Sequence, residues 1–140
     1  MSQLTKSFSI LARDFSRAGE VSIQVQGTLK KIGYDQDIIR RASICAYESE
    51  LNVVMYGEGG HLHLTVCPHE IVLDVVDEGP GIKDIELAMQ EGYSTAPPEY
   101  QEMGFGAGMG LPNIKRNSDS LEIVSEKGKG THLRIGFKVR

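Results

Sequence analysis

The sequence predicts an α/β two-layer sandwich, in which helices cover one face of a mixed, mostly antiparallel sheet. Two observations lead to this prediction. Several short segments alternate apolar and polar residues, as half-buried strands do, and two longer segments repeat apolar residues every three or four positions, as amphipathic helices do. Because the long helical segments come early and paired strands follow, the elements fit one sheet with helices packed on one side.

The N-terminal part is predicted to contain one strand and two long helices. Residues 7–11 alternate as a short strand would, and a helix is expected to begin after an N-cap at Asp14 or Ser16 and to stop at Gly33. Asp35 can cap a second helix that ends at Gly57. The predicted buried positions are Ala18, Val21, Val25, Leu29 and Ile32 in the first helix, and Ile38, Ala42, Cys45 and Ser49 in the second.

The rest of the chain is predicted to form two strand pairs and two short helices. The first two strands are close enough in sequence for an antiparallel hairpin with its turn at Pro68, and the last two are joined by a glycine turn. The predicted bounds are 61–67 and 70–76 for the first pair, 83–90 and 112–116 for the helices, and 120–125 and 131–139 for the last pair.

Length, charge and cysteine usage limit the class of protein. The 140 residues are predicted to form a single domain, residues 1–140. The formal net charge of −4 argues against a nucleic-acid-binding face, because phosphate backbones select clustered Lys and Arg. No apolar run is long enough for a membrane span or a signal peptide, and Cys45 and Cys67 stand in no metal-type spacing. A cytoplasmic protein with reduced thiols is expected.

Two glycine-rich stretches indicate a nucleotide site. In the first, Asp77-Glu78-Gly79-Pro80-Gly81, a carboxylate can accept a hydrogen bond from the adenine amine while the glycines let the main chain approach the ring edge. The second runs from Gly104 to Leu111 and precedes Pro112, which suits the first turn of a helix. Glycine amides at a helix start bind anions such as polyphosphate. Together the stretches predict an ATP site.

The loop over 92–103 lies between these two glycine stretches. A loop of this length in a compact domain is usually a lid or a disordered segment. Its place in the chain is where a nucleotide lid would have to be, so a lid is predicted at about 92–108.

Glu48 and Asn52 stand four residues apart on the second helix, so both side chains project from one face. An amide oxygen is a suitable ligand for Mg²⁺, which takes only one or two protein oxygens when it carries phosphates. A carboxylate one turn away can accept a proton from an attacking hydroxyl or orient a water. Asn52 is therefore the candidate metal ligand and Glu48 the candidate base.

Each of these features alone has a plainer interpretation. An isolated Asp-x-Gly-x-Gly is more often a turn, an isolated glycine run can be a linker, and Glu48 with Asn52 can be a solvated helix face. His61 and His63 share a strand face, but no third ligand is near in sequence, which favours an exposed face over a metal site. It is the occurrence of several motifs in one chain that favours the nucleotide site.

Four motifs together resemble the boxes of the GHKL superfamily of gyrase, heat-shock chaperone, histidine kinase and MutL ATPases, in the same order and at similar separations. They are the runs from Glu48 to Asn52, from Asp77 to Gly81, from Gly104 to Leu111 with Asn113, and from Gly128 to Thr131. Within the superfamily, the small size, Glu48, and the runs from Gly92 to Thr95 and from Gly106 to Pro112 resemble the bacterial anti-sigma-factor and stress-switch serine/threonine kinases.

This resemblance implies an activity, partners and residue roles. Members of the family use ATP and Mg²⁺ to phosphorylate a serine or threonine of a small anti-sigma-antagonist partner, a STAS-type protein, and some also bind a sigma factor or form homodimers. Glu48 would be the catalytic base and Asn52 the metal ligand. The nucleotide-binding residues would be Asn52, Asp77, Gly79, Gly81, Ile82, Gly104, Gly106, Ala107, Gly108, Met109, Gly110, Leu111 and Thr131.

Three functional hypotheses remain open at this stage. The first is a serine/threonine kinase that transfers the γ-phosphate of ATP to a partner protein. The second is a switch in which ATP orders the lid and thereby controls partner binding, with little transfer. The third, the catalytic half of a histidine kinase, is weaker because no long helical hairpin with a phosphoacceptor histidine precedes the site. Glu48 separates the first two, since a pure binding switch has no use for a base.

Overall fold

The computed structural model describes residues 3–56, 58–82, 85–92, 94, 96, 98–99, 109–126 and 128–139. Five strands form its sheet: β1 (Leu4–Ile10), β2 (Gly60–Cys67), β3 (Glu70–Asp77), β4 (Ser120–Glu126) and β5 (Gly130–Lys138). Their order in the sheet is β1-β2-β3-β5-β4, and each of these four pairings is antiparallel. The predicted two-layer α/β sandwich is confirmed, with antiparallel pairing throughout the described strands rather than a mixed sheet.

Helices and a short 3₁₀ turn accompany the sheet in the part of the chain that the structure describes. They are the 3₁₀ turn Phe15–Arg17, α1 (Glu20–Ile32), α2 (Gln36–Tyr56), α3 (Ile85–Ala88) and α4 (Gly110–Asn117). None of the helices in the described ranges has both the length and the apolar character needed to cross a membrane. The short helix predicted over 83–90 is seen as α3, although Lys83 and Asp84 lie outside the described residues.

The hydrophobic core lies between the helices and one face of the sheet. Leu73 and Ile135 face each other across β3 and β5, and both are fully buried against helical side chains such as Val25 and Ile114. Successive strand residues point to opposite faces, so the neighbouring pair, Asp74 and Arg134, lies on the face without helices. His61 and His63 also lie on that polar face, as predicted, with their rings stacked 6.0 Å apart.

Local sequence signals place several helix ends correctly. Gly33 ends α1 with a φ of 100°, a left-handed conformation that favours glycine, and its N–H donates to the Leu29 carbonyl. The Asp35 carboxylate accepts a hydrogen bond from Ile38 N at 3.0 Å, which caps α2. All four buried positions predicted for α2 are buried. In the first helix two predicted positions are wrong, because Ala18 is half-buried and lies before α1, and Ile32 is 44% exposed.

The start of α1 is capped by Glu50 of α2, a contact that the sequence did not predict. The Glu50 carboxylate accepts hydrogen bonds from Gly19 N (3.0 Å), Val21 N (3.3 Å) and Ser22 N (3.1 Å). The predicted N-cap at Asp14 or Ser16 is wrong, because the chain makes the 3₁₀ turn there and α1 begins only at Glu20. Burial raises the pKa of Glu50, and the three amide donors oppose this shift.

Replacing Glu50 with Ala is expected to lower the free energy of unfolding by about 2 to 4 kcal/mol, because it leaves three buried N–H groups without their acceptor. Urea denaturation followed by circular dichroism measures the change. The control is Glu58→Ala, which removes an exposed carboxylate. Equal stability of the Glu50 and Glu58 variants would show that the cap contributes little.

Candidate functional site

Helix α2 presents Glu48 and Asn52 on one side, one turn apart, as predicted. Both side chains are half-buried. The intervening residues Ser49, Glu50 and Leu51 are buried, which fixes the rotation of α2 about its axis. The polar side of the helix is therefore held in one direction, toward α4.

Helix α4 runs antiparallel to α2 and contacts its polar side. From the C-terminal to the N-terminal end of α2, Asn52 lies beside Gly110, Glu48 bonds Asn113, Cys45 bonds the Ile114 carbonyl, and Arg41 bonds the Asn117 carbonyl. Along this series the residue numbers on α4 increase while those on α2 decrease, as they do between two antiparallel helices. The start of α4 is thereby brought to Asn52.

Glu48 and Asn52 each lie against a residue of α4. Asn113 Nδ2 donates a hydrogen bond to Glu48 Oε2 at 2.7 Å. A methyl group built on Gly110 would lie 3.4 Å from Asn52 Oδ1, so the absence of a side chain at Gly110 leaves room beside the amide. Within the described residues no three His, Cys, Asp or Glu side chains cluster as a metal site. A Mg²⁺ that carries phosphates needs only one or two protein oxygens, and the Asn52 amide fits that need.

Asp77 stands at the end of β3, where the chain turns into the first glycine stretch. Its Oδ1 accepts a hydrogen bond from Gly79 N at 2.8 Å, a turn that holds the carboxylate close to the main chain. Across the sheet, Asp77 is directly paired with Thr131 of β5. Burial raises the pKa of Asp77, and the backbone amides of Gly79 and Thr131 act in the opposite direction.

Ser125 of β4 joins this loop to the neighbouring hairpin. Its Oγ accepts a hydrogen bond from Ile82 N at 2.6 Å and lies 3.0 Å from Thr131 Oγ1. The Ser125 hydroxyl therefore connects the loop after Asp77 with strand β5. Ser125 was not predicted as a site residue, and no local sequence pattern marks it.

Two glycines allow the loop and the β4–β5 turn to come into backbone contact. Gly81 has a φ of 83°, and a methyl group built on it would lie 2.6 Å from the Glu126 carbonyl oxygen. Gly130 has a φ of 95°, and a methyl group there would overlap the Asp77 carbonyl. Both positions therefore require glycine for conformation and for space. The loop is further held by a hydrogen bond from Gly128 N to the Pro80 carbonyl at 2.9 Å.

The structure thus assembles the predicted residues into two groups. One comprises Glu48, Asn52 and Gly110 at the α2–α4 contact, with Met109 just before α4 and Leu111 buried in its first turn. The other comprises Asp77, Gly79, Gly81, Ile82 and Thr131 around the end of β3. The remaining predicted residues, Gly104, Gly106, Ala107 and Gly108, lie outside the described residues, as does most of the lid predicted at about 92–108.

A comparison with protein-family models gives one match that covers most of the chain. The family is described as histidine kinase-, DNA gyrase B- and HSP90-like ATPase, and the match spans residues 37–140. The matched range begins at the second residue of α2 and so includes Glu48, Asn52, Asp77 and both strands of the last hairpin. Strand β1 and helix α1 lie before it.

Curated proteins similar to this chain include several anti-sigma F factors. The one from Caldanaerobacter subterraneus subsp. tengcongensis is 31% identical over 99 residues, which cover 71% of this chain and 62% of the relative. The one from Clostridium perfringens strain SM101 is 34% identical over 103 residues, which cover 74% of this chain and 66% of the relative. The matches therefore span roughly three fifths to two thirds of the relatives' length.

Two solved structures share the fold over almost the whole chain. A chain of the SiaB–SiaC complex from Pseudomonas aeruginosa superimposes with a TM-score of 0.58 at 13% identity, covering 96% of this chain and 89% of that one. A mycobacterial sensor histidine kinase, MprB, gives a TM-score of 0.56 at 15% identity, covering 98% and 99%. At this level of identity the similarity concerns the fold alone.

Proposed function

Because this chain belongs to the family of histidine kinase-, DNA gyrase B- and HSP90-like ATPases, we propose that it is an ATP-dependent protein serine/threonine kinase of the anti-sigma-factor type. Membership in a family of ATPases implies that the domain binds ATP. The observation that carries the kinase proposal is the position of Glu48, one helical turn from Asn52 on the side of α2 that meets the start of α4. A site that only bound nucleotide would not need a carboxylate there.

Adenine is proposed to bind at the end of β3. Asp77 Oδ1 is already engaged by Gly79 N, so we assign the exocyclic amine to the other carboxyl oxygen. Gly79, Gly81 and Ile82 would line the ring, and Thr131 would stand across the sheet from Asp77. The amine donates to an ionised carboxylate, and burial raises the pKa of Asp77. Acidification therefore acts against binding, because a proton on Asp77 competes with adenine.

The triphosphate is proposed to lie at the start of α4. Backbone amides there point out of the helix and favour negative charge. Gly104, Gly106, Ala107, Gly108, Met109, Gly110 and Leu111 are the proposed contacts. Asn52 would hold Mg²⁺, which supplies positive charge to the phosphates when it is bound.

Glu48 is proposed to act as the general base. The oxygen of a serine or threonine hydroxyl attacks the γ-phosphorus, the bond from that phosphorus to the bridging oxygen breaks, and ADP leaves. The hydroxyl proton passes to the Glu48 carboxylate. In a loose transition state most of the catalysis comes from positioning and charge, so the orientation of Glu48 matters as much as its basicity.

The proposed substrate is a small anti-sigma-antagonist protein of the STAS type, in the cytoplasm. The names of the curated relatives, anti-sigma F factors, support a regulatory partner of this kind. The fold shared with a chain of the SiaB–SiaC complex is compatible with a domain that works by binding a second protein. A sigma factor and a second copy of this chain are further proposed partners.

The test is incubation with γ-labelled ATP, Mg²⁺ and purified STAS-type antagonist proteins, followed by mapping of the labelled residue. A labelled serine or threonine on the antagonist is the expected result. Binding of the antagonist that depends on ATP but leaves no label would instead support the ATP-gated switch. A labelled histidine on this chain would support a histidine-kinase activity.

A further inference from the structure

Asn113 of α4 makes a direct hydrogen bond to the proposed base. Its Nδ2 donates to Glu48 Oε2 at 2.7 Å, at the short end of the range for N–H···O bonds. The two residues are 65 positions apart in sequence, and both are half-buried. The contact therefore exists only because α4 lies antiparallel along α2.

Arg116 fixes which end of the Asn113 amide faces Glu48. Arg116 donates a hydrogen bond to Asn113 Oδ1 at 3.0 Å, and a guanidinium has donors only. The amide oxygen must then face Arg116, and the NH₂ group must face Glu48. Arg116 is itself paired with Glu91 at 2.9 Å. The orientation of the amide thus follows from its partners on both sides.

From this geometry we propose that Asn113 is a positioning residue that orients the Glu48 carboxylate for proton transfer. The inference rests on the proposed kinase function. With the Asn113 amide on Oε2, we assign the hydroxyl proton to Oε1, the oxygen on the other side of the carboxylate. A glutamate side chain has three rotatable bonds, and a displacement of about 1 Å in a reacting group can cost about 10²-fold in rate.

Other contacts hold α4 against α2 without Asn113, so its side chain is not needed to dock the helix. Leu111 and Ile114 are buried in the core, and the Cys45 thiol bonds the Ile114 carbonyl at 3.6 Å. Arg41 bonds the Asn117 carbonyl at 3.1 Å. A change confined to the Asn113 amide is therefore expected to disturb Glu48 while α4 stays in place.

The test variant is Asn113→Asp, which has nearly the same shape and keeps an acceptor for Arg116 but turns a carboxylate toward Glu48. Turnover is expected to fall by about 10- to 100-fold with the melting temperature close to that of the parent, and any rise in the KM for ATP is expected to be no larger than in a charge-matched control variant. The matched control is Lys115→Gln, which changes the net charge by the same amount at an exposed position of α4. Equal turnover of the Asn113 variant and the parent would overturn the proposal.

A double-mutant cycle with Glu48→Gln separates positioning from a direct contact with the nucleotide. If Asn113 acts through Glu48, adding Asn113→Asp to Glu48→Gln leaves the residual rate unchanged. If Asn113 instead contacts the phosphates, the two losses multiply and the KM for ATP rises. That second pattern would also overturn the proposal.

The contact between Asn113 and Glu48 can also be tested by NMR, without any phosphate transfer. The side-chain NH₂ resonances of ¹⁵N-labelled Asn113 are expected to shift in Glu48→Gln and to stay in place in Glu58→Gln. If the Asn113 resonances do not shift in Glu48→Gln, the contact is overturned, whether or not the protein transfers phosphate. A parent that transfers no phosphate while these resonances do respond would refute the kinase function and leave the contact established.

Discussion

Glu48→Gln is expected to slow phosphate transfer by about 10² to 10⁴-fold while ATP still binds. Glutamine has the same shape as glutamate and keeps an oxygen for the Asn113 amide, but it cannot take the proton of the attacking hydroxyl. The loss should therefore appear in turnover and leave the KM for ATP near the parent's value. Single-turnover kinetics with labelled ATP and an antagonist substrate measure it.

The control for this experiment is Asp77→Asn, which is expected to weaken ATP binding, the step that precedes transfer. ATP raises the melting temperature of any protein that binds it in the folded state only, and this rise should persist in the Glu48 variant and shrink in the Asp77 variant. Unchanged transfer in Glu48→Gln would remove Glu48 from the role of base. An undiminished thermal shift in Asp77→Asn would count against the adenine assignment.

Gly130→Ala is expected to lower the free energy of unfolding by about 3 kcal/mol or more and to abolish ATP binding. The new methyl group would overlap the Asp77 carbonyl, and the residue would have to hold a φ of 95°. Backbone strain and overpacking each cost about 1 to 3 kcal/mol. Because the displaced atoms belong to Asp77 itself, the damage is expected to reach the adenine site.

Gly128→Ala is the matched control for Gly130→Ala. Gly128 lies in the same turn with a φ of 80°, but no atom lies within 4 Å of a methyl group built there. Only the conformational cost remains, about 1 to 2 kcal/mol. Chemical denaturation and calorimetry with ATP compare the two variants. If both variants lose stability and ATP binding to a similar extent, the close contact between the Gly130 backbone and Asp77 is not the reason that position 130 requires glycine.

The sequence was most informative where a structural signal is local. Gly33 and Asp35 act within four residues of the helix ends that they define, and both were predicted correctly. The β2–β3 hairpin was predicted from two strand segments that lie close together in sequence on either side of Pro68. Motif spacing likewise selected the residues at both groups of the site, whose chemical roles remain predictions.

Contacts between distant segments were beyond the reach of sequence patterns. Glu50 was not predicted to cap a helix, yet its carboxylate caps one about 30 residues earlier in the chain. Asn113 and Ser125 belong to the site because α4 lies on α2 and β4 lies beside β5. Tertiary packing brings such residues together, and a pattern along the sequence does not show which distant residues will be in contact.

The antiparallel contact between α2 and α4 restricts how this chain can change in length. Each residue added to a helix advances it by about 1.5 Å and rotates it by about 100°. A single insertion between Cys45 and Asn52, or between Gly110 and Ile114, would therefore turn at least one contacting side chain away from its partner. Natural insertions and deletions between α2 and α4 are expected in the loops outside β2, β3 and the glycine stretch after Asp77, and not within either helix.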